Sequence, residues 1–297
     1  MRLNVVHETH YRYSAPVALS QQALHLSPRA LPWQDCEQHS ISIQPAAAEM
    51  AERADYYGNR EMHVVVAAPH EALLVRAESV VNVKRRARER RAAPKTPWES
   101  VRDTPRIEPA EFLYESAHVE RLRELGDYAL KSFTPRRGIL EAATDLAGRI
   151  HKDFKFDRTA TSVSTPLRQV LKDRRGVCQD FAHLMIGCLR AIGLGARYVS
   201  GYLLTTPPPG RPRLVGADAS HAWVSLWCGE RSGSLGGWID IDPTNNCIVD
   251  DTHVTLGWGR DFADVTPMRG VILGGGAQTL SVRVTVTPRT EAPIESH

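Results

Sequence analysis

Cys178 is the residue of this chain whose type and position best suit a nucleophile. It follows a charged, turn-forming run at 172–176, and from Cys178 onward apolar residues recur at helical spacing until glycines at 193 and 195 end the pattern. The thiol is therefore predicted to lie in the first turn of a helix. Unpaired backbone N–H groups and the positive end of the helix dipole favour a thiolate at that position.

Two strand-like segments downstream carry the partners that a thiol nucleophile needs. His221 stands near the start of the first segment, and Asp240 and Asp242 close the second. A cysteine at a helix start, a histidine on one strand and an aspartate on the next supply a nucleophile, a base and a group that orients the base. A lone cysteine is more often a buried structural residue, but these two segments favour catalysis by Cys178.

The motifs around these residues resemble those of the transglutaminase-like superfamily, the papain-like proteins with a Cys–His–Asp triad. Four motifs carry the resemblance in order: Gly-Val-Cys-Gln-Asp-Phe-Ala-His (176–183), Ala-Arg-Tyr-Val-Ser-Gly-Tyr (196–202), Ser-His-Ala-Trp (220–223) and Trp-Ile-Asp-Ile-Asp-Pro-Thr (238–244). Residues 7–13 and 55–59 are similar to the bacterial transglutaminase-like N-terminal domain, and residues 259–265 to the closing motif of the family.

The resemblance implies an α+β fold. A β-sandwich-like N-terminal domain would precede a catalytic domain of the papain-like cysteine protease fold, with helices packed on an antiparallel sheet. The resemblance also implies Cys178, His221 and Asp242 as catalytic residues, and no cofactor. By strand parity alone, Asp240 and Asp242 could both face the histidine. The family spacing, four residues after the tryptophan of the strand, selects Asp242, and Asn245 is not expected to act as a papain-like asparagine.

Four further residues are weaker candidates for substrate binding: Asp180, Tyr198, Trp223 and Asp240. Asp180 could instead organise the start of the nucleophile helix, and aromatic residues on strands, such as Tyr198 and Trp223, are more often part of a core. His183 lies about 500° around the helix from the nucleophile, so it is predicted to point away from the thiol.

The chain is predicted to have four regions: a β domain at 1–83, a linker at 84–109, a catalytic domain at 110–288 and a disordered tail at 289–297. Alternating hydrophobicity predicts strands at 5–13, 18–27, 38–44, 60–67, 72–83, 196–204 and 279–287. Helical spacing predicts helices at 109–114, 117–133, 137–154 and 166–171 before the nucleophile helix, and the prolines of 205–212 predict a loop.

The five cysteines indicate a reducing compartment. Their number is odd, and no two have the short spacing of a paired set. No apolar run is long enough to span a bilayer, and the chain opens on a strand-like segment without a signal core. We therefore expect a cytoplasmic protein, with structural roles for the remaining cysteines, Cys36, Cys188, Cys228 and Cys247.

The composition is that of a globular chain of 297 residues, with 42% hydrophobic and 24% charged residues. A formal net charge of +3 gives no reason to expect nucleic acid or a membrane surface as a partner. The basic run at 84–91 lacks interleaved aromatic residues, which indicates a solvated linker. A peptide or protein substrate is the expected partner, and the oligomeric state stays open.

Thiol-dependent acyl chemistry is the expected function, and it can end in two ways. Hydrolysis, by a cysteine peptidase or amidase, is the first expectation. Acyl transfer to an amine, as in a protein-glutamine transglutaminase, differs in the nucleophile that resolves the thioester. A silent binding or scaffold protein would be expected to lack Cys178, His221 or Asp242, and all three are present. No metal is expected, because no set of residues has the spacing of metal ligands.

Overall fold

The computed structural model describes residues 1–86, 95–104, 106–205, 220–230 and 237–289, and the fold is α+β, as predicted. Residues 87–94 of the predicted linker, the proline-rich loop from residue 206 and the tail from residue 290 lie outside the described residues.

The described residues form two large sheets, one small two-stranded sheet and a group of helices. The strands are β1 (Arg2–Leu24), β2 (Gln34–Gln44), β3 (Glu49–Ala54), β4 (Arg60–Val66), β5 (His70–Val83), β6 (Lys155–Phe156), β7 (Arg175–Gly176), β8 (Ala196–Leu203), β9 (Ser220–Trp227), β10 (Trp238–Asp242), β11 (Cys247–Ile248), β12 (His253–Gly259), β13 (Met268–Gly274) and β14 (Gln278–Pro288). The helices are α1 (Trp98–Arg102), α2 (Arg123–Leu130), α3 (Ile139–Asp153), α4 (Leu167–Asp173) and α5 (Cys178–Ala191), with 3₁₀ turns at Ala110–Leu113 and Phe262–Val265.

The first sheet is built around the long strand β1. Its first half pairs with β5 and β14, and its second half pairs with β4 and β13. The sequence predicts two separate strands here, but β1 is continuous. Its pairing with β5 shifts register between Arg12 and Val17, and Pro16 in that interval has no N–H to donate to a ladder.

The last two strands differ from expectation in their partners. Residues up to 288 are predicted to belong to the catalytic domain, yet β13 and β14 both pair with β1 and so complete the N-terminal sheet. Periodicity predicts that a segment is a strand but says nothing of which strand lies beside it, so this return of the chain is invisible in the local sequence pattern.

The second sheet is antiparallel, in the order β11-β10-β9-β8-β12, and carries the candidate catalytic residues. Helices α2, α3 and α5 contribute to a shared core with this sheet. Every residue of α5 from Asp180 to Arg190 is buried, because α5 has neighbours on all sides. No helix of the described part of the chain is both long and apolar enough to cross a membrane.

Two predicted segments have different boundaries in the structure. The helix predicted at 117–133 begins only at Arg123, because the backbone N–H of His118 donates to Asp261 and Ser116 forms an isolated bridge with Val119. The predicted linker contains α1, whose Trp98 is buried and donates its indole N–H to Thr134 O at 3.0 Å.

The two sheets are joined along β12, the edge strand of the second sheet. The Gln34 side chain accepts from Thr255 N at 2.7 Å and donates to Thr255 O at 2.7 Å. The Asn59 side chain likewise accepts from Trp258 N at 3.0 Å and donates to Trp258 O at 2.8 Å. These two amides occupy the place that a neighbouring strand would have, which satisfies backbone groups of the edge and fixes the sheets against each other.

Candidate active site

Cys178 is the first residue of α5, as predicted. The Asp180 carboxylate accepts from the backbone N–H of Val177 at 2.7 Å and from the Thr161 hydroxyl at 2.6 Å. A Cβ at Gly176 would lie 2.6 Å from the same carboxylate oxygen, so glycine is needed there. Asp180 is buried and therefore organises the start of the helix, the alternative left open from the sequence, and does not line the cleft.

His221 and Cys178 face one cleft of about 550 Å³. His221 pairs with Gly201 of β8 in the register of the sheet, and the Cys178 Sγ donates to the carbonyl of the adjacent Ser220 at 3.9 Å. The cleft thus contains the predicted nucleophile and the predicted base side by side.

Asp242 lies behind His221 and is completely buried. It accepts from His221 Nε2 at 2.7 Å, which leaves Nδ1 as the ring nitrogen available to the thiol. The backbone N–H groups of Thr244 and Asn245 donate to its other oxygen at 2.8 and 3.1 Å. A buried carboxylate with this many donors is held ionised in one orientation.

Electrostatics within this group favour an imidazolium at His221. Burial lowers the pKa of His221, but the hydrogen bond to Asp242 and the interaction with Cys178 outweigh burial and raise the pKa to about 10. Burial likewise raises the pKa of Asp242, yet the hydrogen bonds from His221 and His253 hold it far below its usual range. The pair is therefore an ionised carboxylate and a protonated imidazole at neutral pH.

Two residues that sequence reasoning missed also hold Asp242. His253 Nε2 donates to Asp242 Oδ2 at 3.3 Å, with its Nδ1 3.0 Å from the Thr252 hydroxyl. The Asn245 side chain donates to Asp242 at 2.6 Å, a supporting contact that the sequence analysis did not anticipate. Asn245 supports the aspartate without replacing it, because Asp242 lies 2.7 Å from His221 Nε2, whereas the Asn245 amide nitrogen lies 3.3 Å from it.

Asp240, the other aspartate of β10, forms a different contact. Asp240 Oδ2 accepts from Arg86 at 3.2 Å, and the guanidinium of Arg86 lies over Trp33. Asp240 is buried away from the cleft, so its prediction as a substrate contact is wrong. Arg86 is itself buried, which differs from the expected solvated run, whereas Lys84 and Arg85 before it are exposed.

The aromatic candidates separate into one cleft residue and one core residue. Tyr198 lines the cleft, and burial together with the nearby Cys178 raises its pKa well above the usual value, so its hydroxyl remains a donor. Trp223 is completely buried, with its ring centroid 5.3 Å from that of His253. Its prediction as a substrate contact is therefore wrong.

His183 points away from the thiol, as predicted. Its Nε2 accepts from the backbone N–H of Phe262 at 3.2 Å, and its ring stacks on His118 at 5.4 Å. Burial lowers the pKa of His183 to about 3, so this residue is neutral and cannot accept the proton of Cys178 near pH 7. It ties the closing motif to α5.

His221, Asp242 and His253 could also hold a metal ion, since one ligand atom of each lies within 4.8 Å of the others. No local spacing reveals this set, because its members come from three different strands. The 2.7 Å separation of His221 and Asp242 is that of a hydrogen bond, and hydrogen bonds account for all three side chains. We therefore interpret the group as a hydrogen-bonded chain behind Cys178.

Comparisons with known proteins agree with this geometry. Residues 3–82 match the family described as bacterial transglutaminase-like N-terminal region, and residues 128–243 match the transglutaminase-like superfamily. An uncharacterised protein of Mycobacterium tuberculosis is 40% identical over 292 residues, which are 97% of this chain and 93% of that protein. A protein-glutamine gamma-glutamyltransferase of Pseudomonas aeruginosa is 40% identical over 72 residues, 24% of this chain and 10% of that enzyme.

The fold is shared with a solved structure. The crystal structure of a candidate cysteine protease from Cytophaga hutchinsonii superposes with a TM-score of 0.74 at 19% identity, covering 100% of this chain and 94% of that one. At this identity the similarity concerns the fold, which agrees with the predicted transglutaminase-like architecture.

Proposed function

Because the chain belongs to the transglutaminase-like superfamily, we propose that it is a thiol enzyme that hydrolyses peptide or carboxamide bonds through a thioester on Cys178. The observation that carries the proposal is the arrangement in one cleft of Cys178 and His221, with Asp242 bonded to the far nitrogen of the imidazole at 2.7 Å. The substrate is a peptide or protein.

The first step is attack by the thiolate on the carbonyl carbon. His221 holds the proton of the Cys178 thiol at Nδ1, as the imidazolium that Asp242 stabilises. The backbone N–H of Cys178, at the start of α5, is positioned to donate to the oxyanion, and the Tyr198 hydroxyl lines the same cleft. One such donor contributes about 3–4 kcal/mol to the transition state in comparable sites.

The second step returns the enzyme to its starting state. The imidazolium gives its proton to the departing amine or ammonia as the tetrahedral intermediate collapses to the thioester. Water, deprotonated by His221, then attacks the thioester carbonyl. The carbon–sulfur bond breaks to release the acid, and the thiolate of Cys178 and the imidazolium of His221 form again. Hydrolysis is our first choice because the cleft is open: Phe156 and Arg158 at its edge are exposed, so water reaches the thioester.

Transfer to an amine is the second candidate. It is supported by the 72-residue similarity to the gamma-glutamyltransferase of Pseudomonas aeruginosa. The two outcomes share every residue of the site and differ only in whether water or a primary amine reaches the thioester first.

The test compares the wild-type protein with Cys178→Ala and with Cys36→Ala, which removes another partly exposed thiol. We expect an iodoacetamide probe to label Cys178 faster than Cys36, and a glutamine-containing peptide to release ammonia with wild type and Cys36→Ala only. Product that forms only when a primary amine is added would replace hydrolysis by transfer. Labelling of Cys178 no faster than that of Cys36, without turnover, would reject both.

A further inference from the structure

Arg158 is the only permanently charged side chain among the described residues that line the Cys178 cleft. Apart from the Cys178–His221 pair, the other described lining residues are apolar or neutral, and none of them is a carboxylate. We propose that the cleft selects acyl donors with a carboxylate close to the reacting carbonyl, and that Arg158 determines this specificity. The inference rests on the proposed function and names its substrate class, acidic peptides.

The segment that carries Arg158 is fixed to both sides of the nucleophile. Before Arg158, Phe156 of β6 pairs with Gly176 of β7, and Asp157 N donates to Gly176 O at 2.9 Å. After Arg158, the Thr161 hydroxyl donates to Asp180, the residue that holds the start of α5. The backbone of Arg158 is thus tied to residues immediately before and after Cys178.

The turn around Arg158 is also held locally. The Asp157 carboxylate accepts from Thr159 N at 3.0 Å and from the Thr159 hydroxyl at 2.8 Å. The other oxygen of Asp157 lies 3.9 Å from the Arg175 guanidinium, so both oxygens have partners other than Arg158. The position of Arg158 at the cleft follows from these contacts and does not require an ion pair of its own.

The guanidinium of Arg158 is available to a ligand. It is exposed, and no described residue forms an ion pair or hydrogen bond with it. A guanidinium presents a planar fork of N–H groups that matches a carboxylate, whereas a lysine of the substrate would be repelled.

The first experiment measures how charge affects the reactivity of Cys178 without needing a substrate. Anionic sulfonatoethyl and cationic trimethylammonioethyl methanethiosulfonates are compared on wild type, Arg158→Glu and Arg158→Lys. We expect the ratio of anionic to cationic rate constants to fall about tenfold or more in Arg158→Glu and to change little in Arg158→Lys. Arg168→Glu is the matched control, since Arg168 is exposed but does not line the cleft.

The second experiment uses glutamine peptides with glutamate, alanine or lysine next to the glutamine. Wild type is expected to prefer the glutamate peptide in kcat/KM by about tenfold over alanine, and Arg158→Glu to prefer the lysine peptide. Rapid labelling and turnover with no dependence on charge would overturn the specificity while leaving the proposed function intact. A Cys178 that reacts with no reagent faster than Cys36 would reject the proposed function, and this inference with it.

Discussion

Asp242 is the side chain on which the geometry of the site depends. It is completely buried and accepts bonds from His221, His253, Asn245 and the backbone at Thr244. Its charge raises the pKa of His221, and its position decides which imidazole nitrogen faces the thiol. Removing the charge and removing the support of the carboxylate should therefore have different consequences.

Asp242→Asn tests the charge. The amide keeps the shape of the carboxylate but no longer stabilises an imidazolium, so the pKa of His221 should fall from about 10. We expect kcat to drop by up to about 10⁴-fold, as when the orienting carboxylate of other triads is neutralised. The pH profile of Cys178 alkylation checks the cause: the reactive ion pair should be lost at lower pH than in wild type. An unchanged profile would show that Asp242 does not control His221.

His253→Leu tests how the hydrogen bond from His253 supports the Asp242 carboxylate. Without the 3.3 Å bond to Asp242 the carboxylate can turn, and kcat should fall roughly 10-fold to 100-fold through misorientation of His221. His253→Gln, which retains a donor, should recover most of the rate. KM should change little, because His253 does not line the cleft. A loss of stability in both variants with wild-type kcat and pH profile would assign His253 a merely structural role.

The residues around Asp242 show how far single positions can be predicted. Cys178 and His221 carry a signal in their own motifs, and the choice of Asp242 over Asp240 needed family spacing. His253 and Asn245 carry none, because their roles arise only when β10 and β12 bring them against the same carboxylate. Asp240 shares the strand parity of Asp242 but meets Arg86, a residue far away in the sequence.

At the scale of elements, β12 is held where it is by side chains of the N-terminal sheet. Helix α5 could be predicted because its apolar spacing and its terminal glycines are local signals. The docking of β12 could not be predicted, because nothing in the local sequence distinguishes Gln34 and Asn59 from other polar residues. Their role depends on the contact of their amides with the backbone of an edge strand. Edge strands leave such groups unpaired, and burying them without partners costs free energy.

Gln34→Ala should weaken this junction strongly. The substitution removes bonds to Arg29 O at 2.8 Å and to both backbone groups of Thr255, and it leaves buried groups without partners. We expect the free energy of unfolding to fall by about 2–4 kcal/mol in urea titrations. Gln38→Ala, an exposed amide on the same strand, is the control and should change it by less than about 0.5 kcal/mol. Equal effects of the two would contradict the role of Gln34.

For the whole molecule, the contact between the two sheets is a shared apolar core. Leu3 and Val5 of β1 and Val284 and Val286 of β14 pack against residues of β8 and β12. His7 lies in this interface, completely buried, and its ring nitrogens contact Tyr202 and Thr9 at 2.9 and 3.1 Å. The alternation of β1 predicts a buried face, but the return of β14 and the burial of His7 beneath the second sheet follow from long-range packing alone.

The buried His7 should make the assembly of the two sheets sensitive to acid. Burial lowers its pKa to about 4, while the unfolded chain titrates near pH 6.5. Between these values the unfolded state binds a proton that the folded state does not, so the free energy of unfolding must fall as the pH drops from about 6.5 to about 4. We expect His7→Gln, which keeps polar contacts but does not titrate, to show a smaller fall in urea titrations at pH 7, 5.5 and 4.5. His10→Gln, on the other face of β1, should retain the wild-type dependence. A wild-type dependence in His7→Gln would place the acid sensitivity in other buried histidines, such as His183.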